Sequence, residues 1–348
     1  MVKGLFDIHI RMKKIDKNGD PLVMLNQMID WEMFRAKLET IRPPKPPEPC
    51  RYPGRKPYDV ILMFKIMILQ ILYNLSEERI EMQVLGRLSF MRFLGIGIGD
   101  SVPDANTVWI FKEALKKHGL TRDLFDQFEQ FLREQGFQAK QGQIVDASFV
   151  HVPVQRNSRE ETRRIKAGEG KVVKEEWEQE KPAKARQKDI DARWTKKNDV
   201  AHYGYKNHVM VDNGGKFIRD YAVTDASVHD SNHFIDLLDK DSQDKNVYAD
   251  SAYMSAEHVQ DLSDLEFLEH LCRKGSRGHA LSEEEKANNC EKSRIRCRVE
   301  HVFGIMLKRA GDLTMRCIGI ERAERTVGLR NLAYNICRYT LLARAVMQ

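Results

Sequence analysis

Closely spaced cysteines are missing from this sequence. The six present, Cys50, Cys272, Cys290, Cys297, Cys317 and Cys337, are scattered, and none forms a pair of the zinc-site type. Six thiols in 348 residues are too few for a secreted disulfide scaffold, so they read as reduced cysteines of a cytoplasmic protein. Long apolar runs are missing too. The most apolar stretch, Val60–Tyr73, has 14 residues and contains Lys65 and Gln70, whereas a membrane span takes about 20 predominantly apolar residues. It predicts a buried helix and no membrane segment. The opening Met1-Val2-Lys3-Gly4 leads into mixed polar sequence, with no secretory leader. Proline is scarce outside one place: seven of the 11 fall within 42–57, among several cations. Proline removes backbone donors and disfavours helix in the residue before it, so this stretch predicts an extended linker. Its cations suit either a DNA backbone or plain solvent.

What the chain does have is size, charge and two kinds of pattern. At 348 residues it exceeds one typical domain. Hydrophobic residues make up 42%, enough to build real cores. The 57 Lys+Arg against 51 Asp+Glu give a mildly basic balance, which suits a nucleic-acid partner without singling one out.

Residues 1–57 hold one helix candidate, 24–40, with Leu25, Met28, Ile29, Met33, Phe34 and Leu38 at helical spacing, and then the proline-rich linker. Residues 58–140 read as an all-α domain. Asp59, Ser76 and Asp104 stand where N-caps belong, and Gly95, Gly97, Gly99, Gly119 and Gly136 punctuate the pieces. Short helices with tight turns fit a helix-turn-helix-like DNA-binding unit, although packing alone produces the same pattern. From about 141 to 310 the pattern becomes mixed. Strands are expected over 143–152, 203–212, 216–224, 246–249 and 267–272. Helices are expected over 230–239, 256–265 and from the cap Ser282 to about 308. Asp212-Asn213-Gly214-Gly215 is a hairpin signal. This order predicts an α/β mixed-sheet fold. Within it, 155–199 carries 14 Lys+Arg and 10 Asp+Glu with few large apolar residues, and reads as a charged insertion, partly helical or disordered and outside the core. The tail, 311–348, predicts a C-terminal helix packed on the α/β unit, with Val327, Leu329, Leu332, Ala333, Ile336 and Tyr339 inward.

Three carboxylates stand out by context. Asp146 closes the run Ile144-Val145 and precedes Ala147-Ser148. Asp250 closes Val247-Tyr248-Ala249 and precedes Ser251-Ala252. Glu300 lies in a basic amphipathic helix. Two aspartates at matching points of neighbouring strands are able to share a divalent cation, and a pair of such ions suits in-line displacement at phosphorus. Alone, each Asp is better explained as a turn cap, and Glu300 as half of an exposed ion pair. On a helix, Arg296 lies about 40° to one side of Glu300 and Lys308 about 80° to the other; both are candidates to grip phosphate. Lys206 and His208, on a predicted strand, are further candidates for DNA contact, although a partly buried strand pair of this kind is more often structural. Asp230, after His229, reads as a helix N-cap rather than a fourth ligand.

The motifs Ile144-Val145-Asp146-Ala147-Ser148, Tyr203-Gly204-Tyr205-Lys206-Asn207-His208, Tyr248-Ala249-Asp250-Ser251-Ala252-Tyr253 and Arg298-Val299-Glu300-His301-Val302-Phe303-Gly304 occur in order. Together with the helical region around 57–111, including Val102-Pro103-Asp104, they resemble bacterial insertion-sequence transposases of the DDE type, specifically insertion-sequence family 5. The resemblance runs from about 25 to 340. It implies an RNase H-like catalytic domain behind an N-terminal helical domain, with Asp146, Asp250 and Glu300 as catalytic and metal-binding triad. It implies two Mg2+ ions, with Mn2+ as an alternative. It further implies double-stranded DNA partners, namely terminal inverted repeats and target DNA, and a homodimer in the DNA complex. Such an endonuclease and strand-transfer enzyme would be cytoplasmic, on the nucleoid when bound. The chain departs from the family's helix motif at two places: Ser293 stands where Tyr is usual, and Leu307 where Lys is usual, with Lys308 next to it. Two other readings are a catalytically silent relative that only binds specific DNA, and a host nuclease on the same fold.

Overall fold

A computed structural model describes residues 7–42, 56–197, 199–275, 280–311 and 314–347. The core of the proline-rich linker, 43–55, lies outside the described residues. The chain divides into two compact units. One comprises Met1–Leu132, Arg309–Gly311 and Leu329–Gln348; the other comprises Arg133–Lys308 and Asp312–Gly328.

The first unit is helical: α1 (Asp7–Lys17), α2 (Pro21–Met28), α3 (Arg35–Glu39), α4 (Val60–Tyr73), α5 (Glu77–Gly86), α6 (Leu88–Leu94), α7 (Ala105–Lys117) and α8 (Leu120–Glu134). Asp59, Ser76 and Asp104 cap α4, α5 and α7 through their side-chain oxygens, because the first N–H groups of a helix lack internal partners. The apolar α4 is buried as expected. Its Lys65 is accommodated by donating to the Asn26 side chain at 2.8 Å. The single helix expected over 24–40 is interrupted. α2 ends at Met28, and the Asp30 side chain accepts from the Glu32 N–H to start a short 3-10 turn, Trp31–Phe34, ahead of α3. Among the described residues no single helix is long and apolar enough to cross a membrane.

The second unit is built on a six-stranded mixed sheet: β1 (Gln143–His151), β2 (Arg193–Lys197), β3 (Val200–Asp212), β4 (Ile218–Asp225), β5 (Asn246–Ala249) and β6 (Leu268–Leu271). The order is β2-β3-β1-β5-β6, with β4 also paired to β3. β1 is antiparallel to β3 and parallel to β5, and β5 is parallel to β6. This antiparallel half joined to a parallel half is the mixed α/β, RNase H-like layout. Val145, Met210, Val247, Ala249, Phe234, Tyr253 and Leu262 form the core on one side. At Gly204 β3 comes so close to β1 that an added Cβ would stand 2.2 Å from the Val150 carbonyl oxygen, and φ is +145°. Only glycine fits there.

Helices between the strands are α9 (Arg159–Arg164), α10 (Gly170–Glu180), α11 (Pro182–Gln187) and α12 (Ala256–Asp264); after β6 come α13 (Glu283–Arg296), α14 (Arg298–Ala310) and α15 (Ile320–Met347). Several expectations need correction. The charged segment 155–199 is ordered into α9, α10 and α11 around its own small core of Ile165, Val173, Trp177 and Ala185, and its last part forms β2. A strand is held by its backbone ladder, so charged side chains on β2 did not prevent it. The buried Asp189 ties this excursion down, accepting from the Tyr205 hydroxyl at 2.7 Å and the Gly319 N–H at 3.0 Å. Residues 230–239 form a 3-10 turn, Asp230–His233, and further turns in place of an α-helix. The first turns of the C-terminal helix belong to the sheet unit, where Ala323 and Val327 join Val150, Tyr203 and Tyr205. From Leu329 it belongs to the helical unit, and Tyr339 meets Phe128 and Phe131 edge-on.

The hairpin between β3 and β4 depends on Asp212. Its carboxylate accepts from the N–H groups of Gly215 and Phe217 and pairs with Arg219 at 3.0 Å, with both side chains fully buried. Asp212→Ala should cost about 3–5 kcal/mol, the penalty of leaving a buried cation unpaired. Denaturant unfolding checks this, and a loss under about 1 kcal/mol would show that the pair is not holding the turn.

Candidate active site

The position of the two aspartates follows from strand register. Ile144 of β1 pairs with Tyr248 of β5 in parallel. Asp146 and Asp250 each lie two residues further on, so the twofold alternation of strands puts both on the same face at the same level. Each carboxylate uses one oxygen on nearby backbone. Asp146 Oδ1 accepts from the Ala147 N–H at 2.8 Å, and Asp250 Oδ1 from the Ala252 N–H at 2.7 Å.

The third carboxylate arrives on a helix that is not continuous. α13 begins with a capping box between Ser282 and Glu285 and ends at Arg296. Cys297 makes the turn, and α14 starts at Arg298. α14 buries Val299, Val302 and Met306, which leaves Glu300 outward. Arg298 fixes the start of α14 by donating to the Asn213 side chain at 2.6 Å. Arg296 then joins the parts. One guanidinium nitrogen stands 3.0 Å from Asp146 Oδ2 and the other 3.1 Å from Glu300 Oε1.

Burial raises the Asp146 carboxyl pKa to about 6; Asp250 pushes the same way, while the Ala147 N–H, Arg296 and Lys197 oppose it. Burial works against the charge on Arg296, yet Asp146, Glu300 and Asp250 together hold its pKa above the ordinary value. The Tyr253 hydroxyl is buried and has no hydrogen-bond partner among the described residues. Its pKa is raised by burial and by the fields of Asp146, Asp230 and Asp250. Tyr253 and Arg298 had not been singled out in the sequence. Tyr253 is visible there only as the end of the Tyr248–Tyr253 motif, and Arg298 only as the start of the Arg298–Gly304 motif.

Of the residues expected to act, Asp146, Arg296 and Glu300 are in one hydrogen-bonded group, with Asp250 beside Asp146. Lys308 is exposed near the end of α14, as is Leu307, while Ser293 stands 3.7 Å from the Cys272 sulfur. The expectation that Lys206 and His208 approach DNA phosphates is corrected by their burial. Lys206 pairs with Asp230 at 2.7 Å and donates to the Val228 carbonyl. His208 is fully buried against the Thr224 hydroxyl, and burial lowers its pKa to about 4. Asp230 is not the cap expected of it. The His229 side chain caps the 3-10 turn, and Asp230 pairs with Lys206 and, at 3.5 Å, with Lys197.

These carboxylates are hard oxygen donors of the kind that Mg2+ and Mn2+ select. Among the described residues no three His, Cys, Asp or Glu side chains stand close enough to hold one ion. The Arg296 guanidinium, a cation between two of the donors, stands in for positive charge that the buried Asp146 requires. The donor chemistry and this stand-in fit a divalent cation.

Asp146 on β1, Asp250 at the end of β5 and Glu300 on α14 thus stand as the carboxylates of one candidate site. The family model described as "Transposase DDE domain" matches residues 138–336. A second, "Transposase domain (DUF772)", matches residues 10–114. The chain belongs to the DDE-type transposases, a family of enzymes that work with divalent metal ions. A solved structure, "Cryo-EM structure of piggyBac transposase synaptic complex with hairpin DNA (SNHP)", is similar over 94% of this chain and 76% of its own, at 10% identity and a TM-score of 0.42.

The burial of Asp146 has a consequence for stability. Its folded pKa of about 6 lies above the ordinary 3.8. The folded form therefore binds more protons than the unfolded form between these values, and stability falls as pH rises from about 4 to 6. Asp146→Asn removes that cost. In EDTA the variant should be more stable than the parent by roughly 2 kcal/mol at pH 7.5, with the gain shrinking toward pH 4. Thermal melts at both pH values test this. An equal difference at both would mean that the carboxylate is not desolvated.

Proposed function

We propose that this transposase cuts DNA at the terminal inverted repeats of its own insertion sequence, of family 5 type, and joins the ends to target DNA. The reading rests on one observation above the others. Asp146 lies on β1 and Asp250 directly follows the parallel β5, each two residues past the Ile144–Tyr248 pair, and Arg296 bridges Asp146 and Glu300. Asp146, Asp250 and Glu300 would hold two Mg2+ ions, with Mn2+ as an alternative. Bound there, the ions would supply a polarised water or 3′-hydroxyl and neutralise charge on the phosphodiester. The protein's part is to hold the three carboxylates, to keep Asp146 dry, and to present Arg296 and Lys308 to phosphate oxygens. The helical unit with its exposed cations would bind the repeats, as a homodimer that brings two ends together, in the cytoplasm.

Asp146→Asn, Asp250→Asn and Glu300→Gln should each reduce cleavage of repeat-bearing DNA about a thousandfold or more, equivalent to several kcal/mol of transition-state stabilisation. Binding of the ends should persist in all three. Full cleavage by any one variant removes that residue from the site. Binding without cleavage by the parent chain in Mg2+ would favour the silent relative, and cleavage without end specificity would favour a nuclease. End binding should also weaken at least about tenfold between 50 and 200 mM salt, as lysine and arginine contacts to phosphate require. A flat response measured by fluorescence anisotropy would rule out a phosphate-dominated interface.

A further inference from the structure

Arg296 is placed unusually for a residue whose task is to hold DNA. Its two terminal guanidinium nitrogens contact Asp146 and Glu300, at 3.0 and 3.1 Å, and its side chain is mostly buried at 21% exposure. Both partners belong to the metal-binding triad proposed above, and the inference rests on that reading. A guanidinium and a divalent cation compete for the same carboxylate oxygens. With Arg296 in this position, Asp146 Oδ2 and Glu300 Oε1 are already satisfied.

We infer that Arg296 is a displaceable counter-cation. It neutralises Asp146 and Glu300 before metal loading and, once metal takes those oxygens, is released to grip phosphate. Position in the chain supports the exchange. Arg296 is the last residue of α13, and Cys297 separates it from α14, which carries Glu300 and is anchored by Arg298 on Asn213 and by the buried Val299 and Val302. Arg296 is able to swing while Glu300 keeps its helix. Loading of metal and retention of phosphate then become coupled, each favouring the other, as any two ligands that select one arrangement must.

Manganese binding and DNA binding test the exchange separately. In EPR titrations with Mn2+ and no DNA, Arg296→Gln should bind the ion about tenfold more tightly than the parent, the size of an ordinary coupling between sites. Arg296→Lys keeps the charge but cannot fork onto both carboxylates, so it should also bind more tightly. Unchanged or weaker Mn2+ binding in both variants would overturn the proposal, because Arg296 would then be ordering the ligands rather than competing with the ion. Lys matching the parent while Gln binds tighter would also overturn it, in favour of simple charge repulsion. Thermal melts confirm that both variants fold. For DNA, repeat-bearing duplex is titrated in EDTA and in Ca2+. Arg296→Gln should lose affinity about tenfold in Ca2+ and little in EDTA. Equal losses in both would overturn the release step. If the parent binds no DNA, the transposase reading fails, while the Mn2+ titration still decides whether Arg296 competes with metal.

Discussion

Register between β1 and β5 is the constraint on which the site depends. A slip of one residue in a strand turns every side chain to the other face. Val145, Val247 and Ala249 must face the core with Phe234 and Tyr253, and this burial fixes the register. Asp146 and Asp250 then have no choice of face. The apolar residues that stabilise the unit therefore also align the two carboxylates. Function here is paid for in stability at one position and supported by the core on either side of it.

The antiparallel half of the sheet supplies the other requirement, a fixed frame for α14. β3 is the longest strand and carries β1 on one side and both β2 and β4 on the other. Its hairpin end is held by Asp212 and Arg219, and the neighbouring Asn213 receives Arg298 at the first residue of α14. The helix that presents Glu300 is thus positioned from the turn of a hairpin about 85 residues earlier in the chain.

Much of this was legible in the sequence, and the pattern of success has a physical reason. The strand runs that carry Asp146 and end at Asp250, the hairpin at Gly214-Gly215 and the caps Asp59, Ser76, Asp104 and Ser282 are local signals, written in residues within a turn of each other. The misread places are those where long-range packing decides. Lys206 and His208 stood in sequence as a partly buried strand pair that could still reach DNA, and only the fold shows Asp230 and Thr224 enclosing them. Residues 193–197 looked too charged for a sheet until β3 offered them a ladder. The engagement of Arg296 by Asp146 was equally hidden. Sequence placed Arg296 near Glu300 by helical periodicity, but a partner 150 residues away leaves no local mark.

That distance along the chain bears on the order in which the molecule comes into being. β1, β3 and β4 are able to pair as soon as the first 225 residues have left the ribosome, because their contacts lie within that span. The site has to wait for Arg296 and Glu300, and the Asp189 latch waits longer still, for Gly319. A nascent chain that has built most of the sheet therefore still lacks its third carboxylate. Asp146 and Asp250 are therefore made well before the residues that join them, and a product truncated before residue 296 would carry both aspartates without Arg296 and Glu300.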